Sequence, residues 1–214
     1  MHGYFITGTD TGVGKTWFTC ALVRAWRAAG HDAVGLKPIA TGDRNDAVLL
    51  REASGNRLTL DEINPLHFRE PAAPLAAAQA ENRTIDFAAL NRAILDHGAR
   101  YSPIAVEGVG GWRVPLGPGY DVREWARDLA LPVVVVAVNR LGMINHTLLT
   151  VESIRAAGLT CAGIVVNNGP GGKSPDFDFA RRGNAALLRG LLALPVLELG
   201  DGVEAAGEAA AWFR

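Results

Sequence analysis

Gly8-Thr9-Asp10-Thr11-Gly12-Val13-Gly14-Lys15-Thr16 brings three glycines, a lysine and a hydroxyl into one short run. Glycines let successive backbone N–H groups turn inward and surround an anion. A helix opening at Lys15 would add its positive dipole end to that attraction. In such a loop Lys15 reaches the β- and γ-phosphates of a nucleotide, and the Thr16 hydroxyl ligates Mg²⁺. Five residues separate Gly8 from Gly14, one more than the usual phosphate loop has, so a wider variant is expected. No third glycine stands at Trp17, and a dinucleotide fingerprint therefore fails.

Three further groups are candidates for the same chemistry. Glu107 follows Ile104-Ala105-Val106 and precedes Gly108-Val109-Gly110-Gly111. A carboxylate there suits a hard cation that prefers oxygen ligands. Asp46 reads equally as a helix cap or as a second metal ligand on spacing alone. Lys37 stands before Pro38 at the end of a short apolar run. ATP would already have Lys15 and Mg²⁺, so another cation suggests a second anion, either an acceptor or a transition-state oxygen. Thr41-Gly42 would supply a hydroxyl and a close backbone approach to a small substrate.

These groups need elements to hold them. Short strands are expected at 4–6, 33–36, 103–106, 132–138, 162–166 and 195–197. Helices are expected at 15–29, 46–53, 87–97 (stopping at Gly98), 121–129, 145–157, 176–192 and 203–213, with 56–85 irregular. Continuous β-branched runs separated by helices indicate a doubly wound α/β domain, a parallel sheet with helices on both faces. One such domain is expected over residues 1–214. Ligands of that architecture collect beyond the carboxyl ends of the strands. Every polar or glycine-rich turn named above follows a strand, as do Asn139-Arg140-Leu141-Gly142 and Asn167-Asn168-Gly169.

Composition narrows the function class. The 214 residues are 49% hydrophobic and 20% charged, with a formal net charge of −1. Nothing suggests a nucleic-acid surface or a basic membrane patch. Cys20 and Cys161 read as small core residues, and His2, His31, His67, His97 and His146 lack metal-ligand spacing. No apolar run is long enough to span a bilayer, so a cytoplasmic protein is expected.

Together the motifs resemble the dethiobiotin synthetase family. The long phosphate loop at 8–16 carries the resemblance first. It continues through Lys37-Pro38-Ile39-Ala40-Thr41-Gly42, Asn45-Asp46, Asn64-Pro65 and the run from Phe68 to Pro74. Glu107-Gly108-Val109-Gly110-Gly111-Trp112, the run Leu141 to Thr150, and Gly163 to Asn168 complete it. The resemblance implies a phosphate-loop NTPase fold and an ATP- and Mg²⁺-dependent ring closure. In it, 7,8-diaminopelargonate takes up CO₂ as a carbamate, which is phosphorylated and then closed to dethiobiotin. It implies Lys15 and Lys37 between carbamate and γ-phosphate, with Thr11 and Thr41 positioning the substrate. Thr16, Asp46 and Glu107 would hold Mg²⁺. Gly12, Val13, Gly14, Trp17, Gly108, Val109, Gly110, Asn167 and Asn168 would hold the nucleotide, with Asn167 on the adenine edge. It further implies a homodimer in which Leu141, Gly142 and Asn145 of the neighbouring subunit hold the substrate's tail.

After residue 168 the chain departs from that pattern. The family's usual Leu-Gly-x-Ile-Pro is replaced by Val196 to Gly202, without proline, so the preference for ATP over other triphosphates is the part of the resemblance with the least sequence behind it. Two rivals exist. A nucleotide-switch or partitioning ATPase would carry an early second lysine, where this chain has Thr9, Asp10 and Thr11. A cobyrinate-type amidoligase would add a glutamine-hydrolysing domain, for which the residues after 168 leave no room.

Overall fold

A computed structural model describes residues 1–169 and 178–200. Its first elements are β1 (Gly3–Gly8), α1 (Lys15–Ala28), β2 (Val34–Leu36), β3 (Ile39–Thr41), α2 (Asn45–Ala53) and α3 (Leu60–Ile63). Then come β4 (Leu66–Phe68), α4 (Pro74–Ala80), α5 (Phe87–Arg100), β5 (Ile104–Glu107), β6 (Pro115–Gly117) and β7 (Tyr120–Asp121). The series ends with α6 (Val122–Leu129), β8 (Val133–Val138), α7 (Met143–Ala156), β9 (Cys161–Asn167), α8 (Asp178–Leu192) and β10 (Val196–Leu199).

Six strands form one parallel sheet in the order β10-β9-β8-β1-β5-β2. Val133 to Ala137 and Ile104 to Val106 are buried at every consecutive position, which requires cover on both faces. Helices give that cover: α1 packs on β1, β2 and β5, α5 on β5, and α7 on β8 and β9. Trp125 and Phe5 meet edge to face in this core, with ring centroids 5.5 Å apart. The chain crosses from β5 on one side of β1 to β8 on the other. The crevice for a ligand therefore lies beyond the carboxyl end of β1, where the glycine-rich loop sits.

Three expectations need correction, and one element was not anticipated. The segment 56–85 is not irregular: it holds α3, β4 and α4, and β4 pairs in parallel with β3. The signals were local: a Thr59–Glu62 capping box opens α3 and Pro74 occupies the first turn of α4. Helix α5 does not stop at Gly98 but runs to Arg100. A Cβ at Gly98 would lie 2.5 Å from Met1 Sδ, so this glycine admits a neighbour instead of ending a helix. A small hairpin, β6–β7, follows the loop after β5. Helix α7 starts at Met143, after Gly142 at φ +88°. The helix expected at 203–213 lies outside the described residues, as do 176 and 177. Both cysteines are buried and free. No helix among the described residues is long and apolar enough to cross a membrane.

Buried His97 on α5 gives the fold an acid limit. Burial pushes its pKa below the ordinary value, against the opposing pull of Glu62, and its Nδ1 has no hydrogen-bond partner. The unfolded chain then binds protons that the folded chain resists. Stability should be complete above the unfolded histidine pKa of about 6.5 and decline as pH falls through it. Urea midpoints between pH 7 and 5 should show this slope, and His97→Phe should flatten it; an equal slope in the variant would remove His97 as the cause.

Candidate active site

The loop after β1 forms the expected cradle. Gly12 and Gly14 take φ +71° and +98°, conformations that side chains disfavour. Helix α1 begins at Lys15 with no side-chain cap and no acidic residue in its first turn, so its leading N–H groups remain available to an anion. Lys15 is 6% exposed and donates to the Asp10 carbonyl at 3.1 Å. Burial lowers its pKa to about 8, helped by the nearby Lys37 charge and opposed by Glu107.

Beside the cradle lies an ion cluster. Lys37 Nζ donates to Glu107 Oε1 at 2.5 Å and to Asp46 Oδ2 at 2.8 Å. Thr16 Oγ1 donates to the same Glu107 oxygen at 2.8 Å. Burial works against the Lys37 charge, yet the two carboxylates outweigh it and raise the pKa. Burial likewise opposes ionisation of Asp46, but Lys37 and the Thr16 hydroxyl hold its pKa below the usual carboxylate value. Glu107 is fully buried, and its Oε2 has no hydrogen-bond partner. A buried charged oxygen without a partner is costly. Glu107 and Asp46, linked through Lys37, and the Thr16 hydroxyl on Glu107 Oε1 are oxygen donors of the kind that could hold a hard divalent cation alongside phosphate oxygens.

A cavity of about 810 Å³ opens over cradle and cluster. Of the residues expected from sequence, Thr11, Gly12, Gly14, Lys15, Thr16, Trp17, Lys37, Thr41, Asp46, Glu107, Val109 and Gly110 line it. Lys37 lines the same cavity as Gly12 and Gly14. Val13 does not line it: its side chain is buried in the core, and its carbonyl accepts from Asn167 Nδ2. Gly108 packs where a Cβ would sit 3.2 Å from the Phe5 ring. Asn167 does not line the cavity but braces its floor: Nδ2 donates to Val13 O, and Oδ1 accepts from Gly169 N. Asn168 Oδ1 accepts from Asn139, whose own oxygen accepts from Asn184. This amide chain ties the ends of β8 and β9 to α8. Leu141, Gly142 and Asn145 lie outside the cavity, exposed at the start of α7 beside the equally exposed His146.

Sequence reasoning gave no part in the cavity to Cys20, read only as a core residue, to Arg24, Leu49 or Val114, or to the Pro71–Pro74 wall. Trp17, Cys20 and Arg24 recur every three to four residues along α1, a helical stripe that could have been followed into the cavity.

A family profile described as an AAA domain matches residues 2–199. The fold is similar to the cell division protein FtsY of Thermotoga maritima (TM-score 0.57, 15% identity, covering 100% of this chain and 68% of that one). It is also similar to the MinC:MinD complex of Aquifex aeolicus (TM-score 0.59, 16% identity, covering 98% and 86%). Fold and cradle together define a phosphate-loop NTPase domain.

Sequence relatives are more specific. The chain is 49% identical over 168 residues to ATP-dependent dethiobiotin synthetase BioD of Akkermansia muciniphila, covering 78% of this chain and 79% of that one. It is 51% identical over 171 residues to the protein of that name from Anaeromyxobacter dehalogenans, covering 78% and 77%. The Yersinia pestis protein of that name is 41% identical over 172 residues, covering 77% and 72%. The chain belongs to the ATP-dependent dethiobiotin synthetase family.

Proposed function

We propose that this chain is an ATP-dependent dethiobiotin synthetase, a ligase of biotin biosynthesis. It converts 7,8-diaminopelargonate, CO₂ and ATP into dethiobiotin, ADP and phosphate. The observation that carries the reading is the Lys37 ammonium, held by two carboxylates at the same cavity rim as Lys15. Lys15 serves the nucleotide, and a further cation at a strand end, not early in the phosphate loop, suits a second anion that approaches the γ-phosphate.

The chemistry follows from that placement. One substrate amine adds to CO₂, loses a proton and becomes a carbamate. A carbamate oxygen then attacks the γ-phosphorus and ADP departs. The second amine attacks the carbamoyl carbon, the ureido ring closes and phosphate leaves. Lys15 would lie on the β- and γ-phosphates, and Lys37 between γ-phosphate and carbamate. Asp46 and Glu107 aim Lys37 and keep it charged. Thr11 and Thr41 would position the nitrogens and the carbamate. Such transfer depends on placement and charge, and needs no protein nucleophile. Mg²⁺ held by Thr16, Asp46 and Glu107 would neutralise phosphate charge, and the unpartnered Glu107 Oε2 supports that set.

Gly12, Gly14, Trp17, Val109 and Gly110 would contact the nucleotide. Asn167 would offer the adenine edge the capacity left after its two loop contacts. A homodimer fits the exposed start of α7, where Leu141 is 63% exposed, and would bring Leu141, Gly142 and Asn145 to a neighbour's substrate. One domain over residues 1–214 acting in the cytoplasm completes the proposal. The test is phosphate release with ATP, Mg²⁺, bicarbonate and the diamine, each omitted in turn. Release must need all four; release indifferent to the diamine favours a nucleotide switch instead.

The Lys15 pKa of about 8 yields a pH prediction. Phosphate oxygens stabilise the ammonium and raise its pKa, so ATP binding takes up a proton around and above pH 8. Affinity should therefore fall as pH rises past 8, by up to about tenfold per unit. Titration calorimetry in buffers of different ionisation enthalpy reads the uptake directly. No uptake at pH 8.5 would remove Lys15 from the phosphate.

A further inference from the structure

The geometry points to His67 as a positioning residue that sets affinity for the acceptor without touching it. Thr41 and Gly42 line the cavity, and the Thr41 hydroxyl has no protein partner among the described residues. Its place is therefore fixed by backbone alone. That backbone is β3, which pairs only with the short β4, outside the main sheet. The register sets Ala40 opposite His67 and Thr41 opposite Phe68. Two bonds close the end of the ladder: Gly42 N donates to Phe68 O at 3.0 Å, and His67 Nε2 meets Gly42 O at 2.6 Å. A carbonyl only accepts, so Nε2 carries the proton.

His67 is itself braced. Arg83 Nη1 donates to its carbonyl at 2.7 Å, and the Arg83 guanidinium lies 4.7 Å from the centre of the Phe68 ring. Gly42 holds φ +81°, with Pro71 3.2 Å from where a Cβ would stand. A chain reversal in that conformation has few anchors, and the imidazole supplies a direct one. A shift of a few tenths of an ångström there moves Thr41 against the acceptor and leaves the cradle, on α1 and β1, undisturbed. The predicted signature is a change in acceptor KM without a change in nucleotide affinity.

This inference rests on the synthetase reading, and the experiment separates the two. Wild type, His67→Phe and His67→Gln are compared for diamine KM, kcat and ATP Kd. Phenylalanine keeps the ring and loses the donor; glutamine places an amide N–H near Nε2. His67→Phe should raise the diamine KM about tenfold, the effect of losing one hydrogen bond, with ATP Kd unchanged. His67→Gln should return KM close to wild type. The inference is overturned by an unchanged diamine KM in His67→Phe, by an equal rise in ATP Kd, or by glutamine failing to rescue. Wild type lacking diamine-dependent turnover would instead overturn the synthetase reading, and this inference with it.

Discussion

Lys37→Ala reduces diamine-dependent phosphate release to near background and leaves ATP binding largely intact. Carbamate and γ-phosphate repel as they approach, and Lys37 is the cation positioned between them. Removing one preorganised donor of this kind costs about 10²–10³ in kcat. ATP retains Lys15, the glycine cradle and the uncapped start of α1. The substitution also leaves Glu107, which is fully exposed to no solvent, without its ammonium. An uncompensated buried charge costs about 3–5 kcal/mol of stability. Lost turnover could then be mistaken for lost folding. Urea midpoints of Lys37→Ala separate them: turnover lost in a variant that is still folded under assay conditions is lost in the chemistry. Turnover near wild type in the single variant, measured at saturating ATP and diamine, would remove Lys37 from the chemistry.

Gly14→Ala instead weakens ATP binding itself. Gly14 sits at φ +98°, and a Cβ there would lie 2.2 Å from Asn167 Nδ2. The left-handed conformation alone costs about 1–2 kcal/mol for an alanine. The contact adds a displacement of Asn167, whose amide holds the Val13 carbonyl and with it the loop. Both effects act on the first turn of α1, where the phosphates would be bound. A rise in ATP Kd of about 100-fold or more is expected, roughly 3 kcal/mol. Gly12→Ala supplies the contrast. Gly12 has φ +71° but nothing within 4 Å of a Cβ, so only the conformational cost applies. Calorimetry on both variants decides the matter: equal losses at the two positions would mean that the Asn167 contact contributes nothing.

The part of the site made by one continuous run was the most legible in sequence. Gly8 to Thr16 dictates its own conformation, because glycines at positive φ and a lysine opening a helix leave few alternatives. Lys37 and Glu107 were legible because each follows an apolar strand, and the sheet carries strand ends to one rim. The convergence of Lys37, Asp46 and Glu107 on one another was not, since it depends on tertiary distances that no spacing encodes. Nor was the service of Asn167 as a brace beneath Gly14: an asparagine before Asn168-Gly169 reads as a turn. The β3–β4 ladder was missed for a related reason. Three-residue strands carry too little pattern to register beside Pro65, Pro71 and Pro74, yet they hold Thr41 in place. Gly98 shows the converse failure, a helix breaker by composition that serves here as a space for Met1.

The central claim is that a carbamate and the terminal phosphate of ATP react with each other at the Lys15–Lys37 rim. Oxygen labelling tests it most directly. With freshly dissolved ¹⁸O-labelled CO₂, diamine, ATP and Mg²⁺, one carbamate oxygen should bridge to the γ-phosphorus and depart with it, so the phosphate released in the first turnovers carries a single ¹⁸O. Phosphate whose added oxygen comes only from water would show that ATP is hydrolysed without forming that bond, and would contradict the account.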